Sequence, residues 1–187
     1  SDVCSSDLGK TTASRSLLAE ELSLMTFVNA DVIAQGLSGF DPDSAALEAS
    51  RIMLERLHAL AAERVDFALE TTLAARTYVS WFKYLRDSGY NVDLFYFWLK
   101  SADLAVSRVA TRVRSGGHNI PEATIRRRYG RSIRNLLDLY IPVVSTWWVY
   151  DNSGEDPLPI ADGSNGEVDT IIDAEKWDTI KRTRPNG

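Results

Sequence analysis

Short apolar runs, each closing on an acid or a turn, alternate along this chain with stretches of helical periodicity, and no other feature limits its possible folds so strongly. Phe27-Val28-Asn29 delivers Asp31, and Asp66-Phe67-Ala68-Leu69-Glu70 ends on a carboxylate. Residues 91–99 are strongly apolar, and Trp147-Trp148-Val149-Tyr150-Asp151 precedes the turn Asn152-Ser153-Gly154. Runs of this length and content read as strands. Between them, Ala49, Ile52, Met53, Leu57 and Leu60 share one face of a helix expected over 43–64. Further helices are expected over 78–87, closed by Gly89, over 102–114, and over 121–139 with Pro121 at its start. Residues 158–161 add a strand and 174–181 a last helix. Such alternation predicts an α/β domain with a mainly parallel sheet flanked by helices, whose ligand lies beyond the carboxyl ends of the strands. Function is therefore sought in the loops that follow strands.

Ahead of the first of these strands, Ala13, Leu17, Leu18 and Leu22 recur at helical spacing, so Gly9-Lys10-Thr11-Thr12 opens a helix. Gly9, Lys10 and Thr11 fit the last three positions of a P-loop, G-x-x-x-x-G-K-[ST]. There, backbone N–H groups and a lysine hold phosphates and a hydroxyl meets Mg²⁺. The first position falls on Cys4, however, and Asp7 puts a negative charge in the part that should cradle an anion. A bare G-K-[ST] arises by chance in roughly one chain in ten of this length, so it needs support from elsewhere. A P-loop also follows a buried strand, and the first eight residues are polar and too short to make one. We expect that first, central strand to be missing or replaced. On this reading residues 1–8 are a foreign or truncated leader, resembling translated sequencing-adapter sequence, and 9–187 form one domain. A damaged loop of this kind implies weak phosphate binding.

Two strand-end acids give that support. Asp31 is placed to take a proton from a substrate hydroxyl, or else caps the helix that follows it. Glu70 is followed by Thr71, Thr72 and Arg76, which read either as a site or as a turn. Between Arg108 and Arg134 there are eight arginines against one acid, Glu122, in a chain whose net charge is -5. Arg108 and Arg112 share a helix face, as do Arg127, Arg131 and Arg134, and Arg114-Ser115-Gly116-Gly117-His118-Asn119 links the two helices. Guanidinium groups on two helices joined by glycines suit a lid, about 108–134, that closes over phosphates. A solvated basic face or an RNA-binding patch is the competing reading. The acidic net charge argues against nucleic acid as partner and against a membrane surface. The single cysteine, Cys4, with no apolar span or secretory segment, sets a cytoplasmic location as the expectation. No zinc-type His/Cys grouping or serine triad stands out, and the aromatics Phe95, Tyr96, Phe97, Trp98, Trp147 and Trp148 read as strand and core residues.

Taken together, Gly9-Lys10-Thr11-Thr12, Phe27-Val28-Asn29-Ala30-Asp31, Leu69-Glu70-Thr71-Thr72 and the run from Arg112 through Gly116-Gly117-His118-Asn119-Ile120-Pro121 to Ile125-Arg126-Arg127-Arg128-Tyr129 resemble the zeta-toxin-like P-loop kinases. The resemblance runs from Gly9 to about Trp177. It implies a nucleoside-kinase-like fold that transfers the γ-phosphate of ATP, with Mg²⁺, to a hydroxyl of a small molecule. In the characterised toxins that molecule is a UDP-N-acetylsugar. By position, Gly9, Lys10, Thr11 and Thr12 would hold nucleotide, with Thr11 on the metal and Lys10 also catalytic. Asp31 would be the base, and Glu70, Thr72 and Arg76 would join it in holding the acceptor. Arg112 would contact the transferring phosphate, joined by residues from Arg126, Arg127 and Arg128. An antitoxin protein is the partner this family implies. The contrasting expectation is an ATP-binding regulatory or toxin–antitoxin protein with little kinase activity.

Overall fold

The computed structural model of the chain describes residues 26–38, 45–114 and 120–184. Strand β1 (Phe27–Val28) runs into helix α1 (Ala30–Leu37), and helix α2 (Ala46–Ala62) leads to β2 (Ala68–Leu69). Helix α3 (Val79–Asp87), strand β3 (Asp93–Trp98) and helices α4 (Ala102–Arg114) and α5 (Glu122–Asn135) follow. The last of these continues without a break as a π-helical turn (Leu136–Tyr140) and a 3-10 turn (Ile141–Val143). Three successive strands, β4 (Thr146–Asp151), β5 (Leu158–Ser164) and β6 (Glu167–Ile171), precede helix α6 (Ala174–Thr183). Helix α4 begins where its periodicity predicts. The helix expected over 121–139 is shorter, because its last turn widens into the π form.

The strands pair as two sheets. β1 lies parallel to β2, with Phe27 opposite Ala68 and Val28 opposite Leu69. β3 lies parallel to β4 over six residue pairs, which sets Phe95 opposite Trp148 with their rings stacked 4.7 Å apart. Aromatic pairs across strands stabilise a sheet beyond the area they bury. β5 then returns antiparallel to β4, and β6 antiparallel to β5. The expectation of a mainly parallel sheet is thus corrected: the described strands make mixed sheets flanked by helices, with as many antiparallel pairs as parallel ones. Asn165 (φ 50°) and Gly166 (φ 86°) adopt the left-handed backbone of a tight hairpin turn, so the chain reverses there without a helical crossover. Strand β6 escaped the sequence reading because every residue in it is exposed and no buried face betrays it. The Asn-Gly pair was the available sign.

Ala49, Met53, Leu57 and Leu60 form the buried stripe of α2, and the last three meet Trp81, Phe82 and Leu85 of α3 in the main core. Ile133, Leu136 and Tyr140, all fully buried, belong to the same core. Trp147 is also fully buried and stacks on Trp177 of α6 at 5.6 Å. Trp148 is only half-buried, on its stack with Phe95. A second, smaller core of Leu99, Ala105, Val109 and Ile125 joins α4 to α5. The Asp151-Asn152 pair makes the turn the sequence suggested: Asp151 Oδ1 accepts the Ser153 N–H at 2.9 Å, and Oδ2 pairs with Lys176 Nζ at 3.1 Å. Burial alone would raise the Asp151 carboxyl, but hydrogen bonds from Ser153 and Lys176 hold it below its ordinary range.

Between the β1–β2 pair and β3 lies a cavity of about 750 Å³, lined partly by Phe67, Leu69, Leu94 and Tyr96. The described strands on its two sides belong to separate sheets. The expected central strand, the leader, the Gly9-Lys10-Thr11-Thr12 run and the glycine link around His118 all lie outside the described residues.

Gly163 is the point where β5 approaches Trp147 most closely. A Cβ there would collide with the Glu167 carbonyl oxygen and the Trp147 ring. Gly163→Ala is expected to lower stability by about 1–3 kcal/mol or more, the usual cost of overpacking. Urea unfolding followed by tryptophan fluorescence measures it; an unchanged midpoint would show that β5 and Trp147 are less closely packed than described.

Candidate functional site

Because β1 and β2 are parallel neighbours, the residues that follow them emerge on the same side of the sheet. Asn29 follows β1 and caps helix α1: its Oδ1 accepts the backbone N–H of Asp31 at 2.8 Å and of Val32 at 3.4 Å. Its Nδ2 donates to Glu70 Oε2, just beyond β2, at 2.8 Å. Asn29 is buried, so its one amide meets the needs of a helix start and a carboxylate together. The cap considered for Asp31 is therefore made by Asn29. Asp31 stands in the first helical turn, exposed, where the helix dipole favours a negative charge. Asn29 was missed as a site residue. A strand followed by Asn and then an acid in the next helical turn was the sign that could have found it.

The loop after β2 is held from the opposite direction. Glu70 is half-buried, and its backbone N–H reaches the Val28 carbonyl at 3.4 Å. Thr71 Oγ1 accepts the Leu73 N–H at 3.3 Å and exposed Thr72 accepts the Ala74 N–H at 3.5 Å, which bends the chain at once. Leu73 takes a left-handed backbone (φ 55°) with its side chain buried. Its carbonyl accepts Asn135 Nδ2 at 2.7 Å, and the Ala75 carbonyl accepts the Tyr140 hydroxyl at 2.6 Å. Burial pushes the Tyr140 phenol up to about 12, so it remains a donor throughout the neutral range.

Arg128, Tyr129 and Ser132 of α5 line the large cavity together with Glu70, Thr71 and Thr72. Tyr129 donates to the Leu99 carbonyl and Tyr96 shares a hydrogen bond with Ser132, both at 2.8 Å. Burial raises both phenols. The other arginines are disposed differently. Arg126 pairs with Asp103 at 2.6 Å and Glu122 at 2.8 Å, and its hydrogen bonds to Glu122 and then Asp103 raise its pKa further. Arg127 is exposed beside Thr124, and Arg112 is half-buried on α4. Arg108 donates to the Gly154 carbonyl at 3.3 Å. Arg76 lies at a second cavity with Arg131 and Arg134. Among the described residues no group of three or more His, Cys, Asp or Glu side chains could hold a metal ion. Lys10 and Thr11, expected at the nucleotide, lie outside them.

Helices on mixed strands, with polar side chains gathered where β1 and β2 end, describe an α/β domain of the P-loop NTPase kind. Residues 6–131, about two thirds of the chain, match the AAA domain family, and the chain belongs to that P-loop NTPase-like kinase family. Nucleotide-dependent kinase or ATPase activity is the class this membership defines, and domains of this type generally bind nucleotide with Mg²⁺. Over 102 residues the chain is 28% identical to an uncharacterized protein of Haemophilus influenzae, covering 54% of this chain and 73% of that one. No solved structure matches. Among the described residues no helix is long and apolar enough to cross a membrane.

Asn29→Ala removes both the cap and the Glu70 contact. It is expected to cost about 1 kcal/mol or somewhat more, as lost caps do. Asn29→Asp, which keeps the cap but sets two carboxylates together, should weaken the fold most near neutral pH and recover as pH falls below the carboxylate range. Thermal unfolding across pH tests both; identical pH profiles for Asn29→Asp and the parent chain would show that Asn29 and Glu70 are not in contact.

Proposed function

We propose that this protein is a Mg²⁺-ATP-dependent kinase of the zeta-toxin type that phosphorylates a hydroxyl of a small molecule. The Asn29–Glu70 hydrogen bond carries the proposal, because it holds the ends of two adjacent strands together with Asp31 two residues away. That is where a parallel α/β sheet collects its ligand. Asp31, exposed in a helical first turn, takes the proton of the acceptor hydroxyl as its oxygen attacks the γ-phosphorus and the bond to the β-phosphate oxygen breaks. Glu70, Thr72 and Arg76 orient the acceptor. Arg112, and Arg128 rather than Arg126, supply positive charge where it develops on the transferring group. Arg128 is preferred because it lines the same cavity as Glu70, whereas Arg126 is held by two carboxylates.

The Arg128 guanidinium and the Thr71 and Thr72 hydroxyls suit the oxygens of a phosphate group. Lys10 with Gly9, Thr11 and Thr12 would hold the nucleotide, and Thr11 its Mg²⁺; bound together, these supply a transferable phosphoryl group and a cation that offsets its charge. The lid is assigned to α4 and α5. A UDP-N-acetylsugar acceptor and an antitoxin partner rest on the family resemblance.

Labelled ATP, a metabolite pool and this protein test the reading. Asp31→Asn is expected to slow acceptor-dependent transfer by about 10²–10⁴-fold, and Lys10→Ala to reduce it at least as far. If ATP consumption needs no acceptor and Asp31→Asn leaves it unchanged, the protein is a nucleotide-binding regulator and not a kinase.

A further inference from the structure

Cavities in a protein acquire meaning from the charge on their walls. The second cavity, about 470 Å³, is walled by Ala74, Ala75 and Arg76 from the loop after β2 and by Arg131, Arg134 and Asn135 from α5. Three guanidinium groups thus share one small space with no carboxylate in its lining among the described residues. Arg131 and Arg134 are one helical turn apart, and Asn135 beside them is bonded to the Leu73 carbonyl, so this side of α5 is fixed against the loop. The amide of Asn135 is committed there. Arg134 Nε is buried and has no hydrogen-bond partner among the described residues. Asp138, a turn beyond Arg134, is engaged by Arg184 at 2.7 Å. A buried N–H left unbonded is costly, so this space offers an anion three cationic groups, one of them carrying an unsatisfied donor.

We propose that Arg76, Arg131 and Arg134 form an oxyanion site that takes a phosphate group carried by the acceptor. Planar guanidinium forks match the tetrahedral oxygens of phosphate, which can accept from all three at once. The acceptor is assigned as the source because Arg76 lies in the loop that begins at Glu70 and Thr72. This part of the inference rests on the kinase reading and narrows its substrate class to phosphorylated hydroxyl compounds. Binding of the anion itself does not depend on that reading.

Calorimetric titration of the full chain with inorganic phosphate and with glucose 6-phosphate, glucose serving as the uncharged control, tests it. Both phosphates should bind and glucose should not. Arg76→Gln and Arg131→Gln, both exposed and so unlike Arg134 harmless to folding, should each weaken phosphate binding by on the order of tenfold, the scale of one charge-assisted hydrogen bond. Saturating Mg²⁺-ATP should leave phosphate binding in place. Absent binding, or binding that both variants retain, overturns the site. Competitive displacement by ATP overturns its assignment to the acceptor. Phosphate binding that persists while ATP consumption needs no acceptor and is unchanged by Asp31→Asn would sink the kinase reading while leaving the anion site standing.

Discussion

The amide of Asn135, donating at 2.7 Å to the carbonyl of Leu73 inside the protein, fixes the loop on which the rest of the site depends. Leu73 holds a left-handed backbone that a branched, buried side chain rarely adopts, a conformation that costs about 1–3 kcal/mol and persists only where its surroundings enforce it. The enforcement comes from Asn135 and from the Tyr140 hydroxyl on Ala75, both carried by one continuous helical segment. With that bend set, Glu70 is directed to Asn29, and Asn29 sets the first turn of α1 in which Asp31 stands. Two strands of two residues each could not position those groups alone.

The order of strands and helices was legible because burial imposes periodicity. Ala49, Met53, Leu57 and Leu60 are inside for the reason their spacing announced, and α4 begins where expected. Strand direction was less legible. Alternation with helices implies crossovers for the first four strands, but the descent from β4 through β5 to β6 runs through turns, marked in the sequence by Asn152-Ser153-Gly154 and by Asn165-Gly166. The widening of α5 into a π turn left no sign in the residues that make it. Of the site, Asp31 and Glu70 could be named from their places after apolar runs, whereas Asn29 looked like the last residue of a strand. Its role depends on a partner 41 residues away, which local pattern does not contain.

A cluster of arginines read from sequence is a count of charges, and folding sorts them into different duties. Arg126 joins α4 to α5 through Asp103, a residue that lies outside the arginine-rich run and so did not enter the sequence reading. Exposed pairs of this kind contribute little to stability on their own. Their effect here is on allocation: Arg126 is occupied, and Arg128, two residues on and so on another face of the helix, is the one that lines the same cavity as Glu70.

Helix α5 has 14 residues and therefore spans about 21 Å as a stiff rod. Near its start Ile125 belongs to the small core shared with α4, and at its end Asn135 grips the Leu73 carbonyl. Both ends are fastened to different parts of the molecule, and nothing along the rod allows one to turn without the other. A load applied to the arginine-bearing tip is consequently delivered, through rigid backbone, to the bend that presents Glu70. The small core under α4 and the bend at Leu73 are thus joined by one rigid element.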